Sequence, residues 1–262
     1  VPGFTTPGGG FVPTGFSPAV DAALADPGRH LPEPEQMEWL KDGVAAGGTR
    51  WHLIGNQVMV TPVRWPGAAL NVPGNLTLLN SDQWDGYQAD QAELFAHLAA
   101  QPPSRGDAVV LTGDIHSSWA ADLPVARTAG YVSAGVEFVC PSVTSDGFYE
   151  LVRAALPAGT PTPAVLAATQ GVVGAVSATN PWVRFLDGVG HGYTLVDVTP
   201  ERVQADWYLT PTPTDALPDP RVDPQVLPVY AHSFATLAGT RRVTPVAGPV
   251  GPRSDEPATG RW

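Results

Sequence analysis

With 262 residues, 43% of them hydrophobic, the chain can bury one large core or two small ones. Its formal net charge of −11 argues against a general nucleic-acid binder or a ligand of anionic membranes, because both rely on Lys and Arg. The single cysteine, Cys140, excludes an intrachain disulfide and a thiolate zinc cluster, and no apolar run reaches the ~18 residues of a membrane span.

In chain order, residues 1–30 are rich in Pro and Gly without a period and predict an extended arm. The opening Val1-Pro2-Gly3 has no start methionine and suggests a mature or processed product. Pro32 to Ala46 predicts a helix with Met37, Leu40 and Val44 on one face, stopped by Gly47-Gly48. A strand is expected over Arg50 to Val60, then a loop over Pro62 to Asn80. Asp85 is the expected N-cap of a helix running to about Ala100, with Leu94 and Leu98 inward. Ala108 to Thr112 is a short apolar run of the kind buried on both faces. Tyr131 to Val139 is a further strand, and Glu150 to Leu156 and Ala164 to Ala178 are helices. A hairpin follows, Gly192 to Val198 and Arg202 to Leu209, turning at Thr199-Pro200-Glu201. Residues 211–262 read as an irregular, proline-rich extension packed on the domain formed by 31–210. The mixture of strands and helices gives an α/β or α+β fold class.

The sharpest chemical signal is Gly113-Asp114-Ile115-His116, directly after the buried strand. Sites in open α/β sheets gather where strands end. On an extended backbone Asp114 and His116 share a face, and carboxylate with imidazole is an ordinary mixed metal-ligand set. An Asp cap followed by a structural histidine would look the same. Asn56-Gln57 ends the earlier strand, where an amide oxygen suits a hard cation or simply satisfies loop backbone. Ser81-Asp82-Gln83-Trp84-Asp85-Gly86-Tyr87 offers two carboxylates before a helix, as an acid/base pair or a capping turn. Asn180-Pro181, Asp187 and His191-Gly192-Tyr193 precede the hairpin, and His191 is a candidate proton shuttle. There is no Gly-x-Ser-x-Gly elbow, P-loop or dinucleotide fingerprint.

Taken together and in order, these segments resemble the alkaline phosphatase D (PhoD-like) branch of the calcineurin-like metallophosphoesterases. The resemblance runs from about Leu31 to Ala247. It rests on Glu35-Gln36 with Trp39-Leu40, Arg50-Trp51 through Asn56-Gln57-Val58-Met59, and Gln83 to Tyr87. It continues with Leu111 to Trp119, Gly135-Val136-Glu137-Phe138 with Pro141 to Ser145, Asn180-Pro181, and Gly192-Tyr193 with Val196 to Val203.

The resemblance implies the second half of a four-layer αββα sandwich that hydrolyses phosphate mono- or diesters at alkaline pH. It implies Fe(III) with Ca(II), other divalent metals being possible, and a secreted, periplasmic or cell-envelope location. Asp114 and His116 then carry over as metal ligands, and Asn56 as a further one. Two departures accompany it. The family's N-terminal half, with most of its metal-binding aspartates, has no counterpart here. Trp182 stands where the family has a histidine, and Cys140 where it often has a threonine. A non-covalent partner is therefore expected, the N-terminal half of the same precursor cut near Val1. The alternative from another class is a non-catalytic interaction module that kept the scaffold.

Overall fold

The computed structural model describes residues 10–15, 17–70, 72 and 76–251. Residues 1–9 and 16 of the expected arm lie outside them; the described part contains strand β1 (Phe11–Thr14) and helix α1 (Pro18–Leu24). Next come α2 (Pro34–Ala46), β2 (Trp51–Gly55), β3 (Trp65–Pro66), β4 (Thr77–Asn80), α3 (Gln88–Ala100) and β5 (Asp107–Thr112). They are followed by β6 (Ser118–Pro124), β7 (Ser133–Val139), α4 (Phe148–Ala155), α5 (Thr162–Thr179) and β8 (Val183–Asp187). The chain continues through β9 (Gly192–Val198), β10 (Arg202–Leu209), β11 (Val229–Leu237) and β12 (Val243–Pro245).

The central sheet has five strands in the order β2-β5-β7-β6-β8. Strands β2, β5 and β7 are parallel, and β6 and β8 close the sheet antiparallel. Every residue of β6 and β7 is buried, as strands covered on both faces must be. On one face, α2 and α3 place Met37, Val44, Leu94, Phe95 and Leu98 against Ala108, Val110 and Ala134. Farther along that face, α4 and α5 bring Phe148, Val172 and Val176 to Trp119 and Val139. On the other face lies a four-stranded antiparallel sheet, β12-β11-β10-β9. Its inward residues Val203, Ala205, Trp207 and Leu209 pack on Val109, Ala120, Val136 and Phe138. The Trp207 indole N–H donates to the Val139 carbonyl at 3.0 Å, tying sheet to sheet. The result is a helix–sheet–sheet stack of the mixed α/β class. Tyr193 and Leu195 remain exposed on the outer face of the second sheet.

Several expectations are corrected. The strand expected over 50–60 stops at Gly55, because the chain then turns toward Asn56 and Pro62. The loop over 62–80 contains β3 and β4, and β4 pairs with both β1 and β3 in a small third sheet. Asp85 does not cap α3, whose N-cap is Tyr87. It lies buried in the short turn Trp84–Gly86, where it accepts the Val63 N–H at 2.8 Å and pairs with Arg127 at 2.8 Å. Burial pushes its carboxyl up, against the pull of Arg127. Asp82 instead accepts the Gly10 N–H at 3.0 Å, so the two aspartates do not form an acid/base pair.

The segment after Thr210 is not irregular throughout. Strand β11 runs beside β10 from Arg202↔Leu237 to Leu209↔Val229. Just beyond it, Arg241 reaches across to the five-stranded sheet. Its guanidinium donates to the Leu98, Ala99 and Gln101 carbonyls and pairs with Asp107 at 3.0 Å. It thereby caps the carbonyl end of α3, where the last turn lacks intrahelical partners for its carbonyls.

Candidate functional site

The three parallel strands end on one side, and the loops leaving them carry the candidate residues. The loop after β5 is strained. Asp114 has φ 68° and His116 φ 56°, left-handed values that side chains avoid; among the described residues only Arg241 shares them outside glycine. The extended backbone expected here is therefore replaced by a tight turn, closed by the Ile115 N–H on the Gly113 carbonyl at 2.8 Å. Asp114 is exposed and His116 half-buried. The His116 Nδ1–H donates to the Asp146 carbonyl at 2.8 Å, which fixes the tautomer and leaves Nε2 with its lone pair free.

Asn56 enters from β2, its backbone N–H continuing the ladder onto the Leu111 carbonyl at 3.0 Å. Its amide nitrogen donates to the Val58 carbonyl, so the amide oxygen is the group it has left to offer. Glu137, fully buried on β7, ties the loop that follows β2 to the end of β5. It accepts from the Val60 N–H at 2.9 Å, the Thr61 N–H at 2.7 Å and the Thr112 hydroxyl at 2.9 Å.

A second histidine is drawn to the same loops. His191, buried before β9, contacts both oxygens of Glu150 at 3.2 Å through Nε2, and the Ser142 hydroxyl at 3.2 Å through Nδ1. Gly147 lies between the two histidines. A Cβ there would come 2.6 Å from the His116 carbonyl and 3.7 Å from His191 Cε1, so the close approach requires glycine. Glu150 also accepts the Gly147 N–H at 2.8 Å, fastening the start of α4. Burial raises the Glu150 carboxyl, but its hydrogen bonds to His191 and Gly147 outweigh that and hold it below the usual glutamate range. A carboxyl lowered on folding stabilises the fold above its unfolded value of about 4.3 and loses that contribution as pH falls below it. Urea unfolding midpoints should therefore drop on acidification below about pH 4.3, and drop less steeply in Glu150→Gln.

The other singled-out residues are structural. Asn180 is fully buried and bonds Arg64 through both its amide groups, at 2.8 and 2.9 Å. Asp187 accepts the Val189 and Gly190 N–H groups, both at 2.8 Å. Trp182 is fully buried with its indole N–H on the Pro62 carbonyl at 2.7 Å. Tyr193 stacks on Tyr208 with centroids 5.1 Å apart, on the outer sheet face.

Sequence reasoning missed Glu150, Asp146 and Arg221. Glu150, three residues after Gly147 and ahead of an apolar run, had a recognisable helix-start signal. Asp146 and Arg221 had none, since their roles depend on distant chain.

Among the described residues, no three or more His, Cys, Asp or Glu side chains are grouped to hold a metal ion. Asp114 and His116 supply carboxylate and a tautomer-fixed imidazole, which fit part of a mixed ligand set and do not complete one. No helix among the described residues is long and apolar enough to cross a membrane.

Alkaline phosphatase D from Bacillus subtilis (strain 168) is 28% identical over 192 residues, covering 72% of this chain and 28% of that protein. A solved structure titled "Structure of PhoD" superposes with a TM-score of 0.63 at 23% identity, over 86% of this chain and 37% of that one, and so shares its fold. The chain thus spans between about a quarter and two fifths of the relatives it matches. The family profile described as PhoD-like phosphatase matches residues 14–207, well over half of the chain, and the chain belongs to that family.

Proposed function

We propose that this chain is the C-terminal half of the hydrolytic domain of a secreted, periplasmic or cell-envelope phosphoesterase acting on phosphate mono- or diesters. The observation that carries the reading is His116: its Nδ1 is held by the Asp146 carbonyl, and it sits with Asp114 on a strained turn at the end of β5. Strain and a fixed tautomer are costs a plain surface turn does not bear. In the proposed division, residues 1–30 form an arm, 31–210 the half-domain, and 211–262 an extension that supports it.

Asp114, His116 and the Asn56 amide oxygen would hold part of a metal set, Fe(III) with Ca(II) or another divalent pair. Such ions, when bound, offset charge on the phosphoryl group and lower the pKa of water. The chain's own contribution is orientation. The β5 turn presents Asp114 and His116, Glu137 keeps their strand in register with Asn56, and His191, held on Glu150, exchanges a proton with the leaving group or solvent. The remaining ligands would come from an N-terminal half bound non-covalently. The exposed Tyr193 and Leu195 leave apolar surface for such association.

The test is to co-express this chain with the segment preceding it in the full-length protein, as two polypeptides. The assembly should copurify, contain iron and calcium by elemental analysis, and hydrolyse p-nitrophenyl phosphate or its bis ester between pH 7 and 10. A stable assembly without metal or turnover would instead establish a non-catalytic interaction module.

A further inference from the structure

We propose that Arg221 is a positioning residue for His116. It lies beyond residues 14–207, the stretch matched by the family profile, in the short turn Pro220–Val222 between β10 and β11. Its side chain is 11% exposed although it carries a charge. The guanidinium grips the loop that holds His116 at two points: Nη1 donates to the Thr144 carbonyl at 2.8 Å, and Nη2 pairs with Asp146 at 2.7 Å. Asp219 braces its Nε at 2.9 and 3.1 Å, and Glu150 lies 3.9 Å away. Next to it, the Pro218 carbonyl accepts from Tyr149 at 3.2 Å and Arg153 at 3.0 Å, fastening the same segment to α4.

Asp146 links Arg221 to His116. Its carbonyl accepts the His116 Nδ1–H, and its carboxylate is held by Arg221. The Asp146 side chain is 65% exposed, so burial does not fix the residue; the ion pair and the neighbouring Thr144 contact do. Arg221 therefore acts on the imidazole through the backbone of a residue it clamps. A phosphate-binding role does not suit it, because Asp219 and Asp146 already compensate its charge. Arginine suits the clamp because its planar fork makes several directed bonds at once, which an ammonium does not.

The inference rests on the reading of His116 as a ligand, but its test does not need turnover. In ¹⁵N-labelled full-length chain at a fixed pH of about 8, the ring nitrogens of His116 should show one tautomer, protonated at Nδ1. Arg221→Met should convert this to the averaged shifts of an unrestrained imidazole, and Arg221→Lys should restore only part of the signature. Asp146→Ala keeps the carbonyl and removes only the exposed carboxylate. It should cause a smaller change of the same kind, because the Thr144 contact remains, and the double variant should match Arg221→Met. Unchanged His116 shifts in both single variants would overturn the proposal. Because Asp146 is exposed, its substitution decides the matter even where Arg221→Met does not fold. A protein without phosphoesterase activity but with the expected shifts would refute the functional reading alone.

Discussion

Glu137→Ala should cost roughly 3–9 kcal/mol of unfolding free energy, because it strands three buried donors at roughly 1–3 kcal/mol each. Those donors are the Val60 and Thr61 amides and the Thr112 hydroxyl, all directed at one carboxylate that is 0% exposed. Burial pushes the Glu137 carboxyl up, while the same donors pull it back toward the charged form. The two amides can only donate, so a carboxylate matches them better than any neutral group. Glu137→Gln should accordingly lose more than half as much as the alanine variant, since its NH₂ must face another donor. The total stability of a domain is commonly about 5–15 kcal/mol, so either variant should be visibly compromised. In urea, the midpoint should fall with the slope unchanged. A loss below about 1 kcal/mol for both variants would mean that water replaces the carboxylate, and that Glu137 does not hold the loop after β2 to the end of β5.

Glu137 also shows where sequence reading reaches its limit. The run Gly135-Val136-Glu137-Phe138-Val139 identifies a buried strand, but an acidic residue inside it has no local explanation. Its partners lie 77, 76 and 25 residues away. Elements with a strong local period were legible. Helices α2, α4 and α5 and the β9–β10 hairpin fall within a few residues of their expected places. Strands β6 and β8 were not, because Ser118-Trp119-Ala120-Ala121-Asp122 alternates in no simple way and is set by pairing on both sides. Strand β11 was hidden by the prolines before it and by His232 and Ser233 within it. At the site, Asp114 and His116 stand out as candidates by residue type and by their place after β5, and His191 by its place before β9. Their backbone was not: positive φ at two non-glycine positions, 114 and 116, runs against the ordinary preference of side-chain-bearing residues and is imposed by the surrounding loops. The supporting shell of Asp146, Glu150 and Arg221 spans 105 residues between Arg221 and His116, too far for any spacing rule.

That contradiction makes Asp114→Gly the most decisive substitution at the site, because fold and function should respond with opposite signs. Left-handed backbone costs an ordinary residue roughly 1–2 kcal/mol, less for aspartate, and glycine avoids it. Glycine gives back part of that gain through the greater entropy of its unfolded chain. Asp114 is exposed, so its side chain contributes little burial. The variant should therefore lose no stability and gain up to about 1 kcal/mol in urea unfolding. If Asp114 is a metal ligand, the same variant in the two-chain assembly should lose iron or calcium and at least about 100-fold in turnover. That bound follows because removing a group that merely orients a ligand already costs about 10–100-fold. His116→Ala should lose as much activity, but at a small stability cost from the broken Asp146 bond, about 0.5–1.5 kcal/mol. Glycine at 114 with full metal content and turnover would reduce Asp114 to a turn residue and leave His116 and Asn56 as this chain's share of the site. Gain of stability together with loss of metal is the outcome expected where a chain keeps strain at a position for the sake of its chemistry.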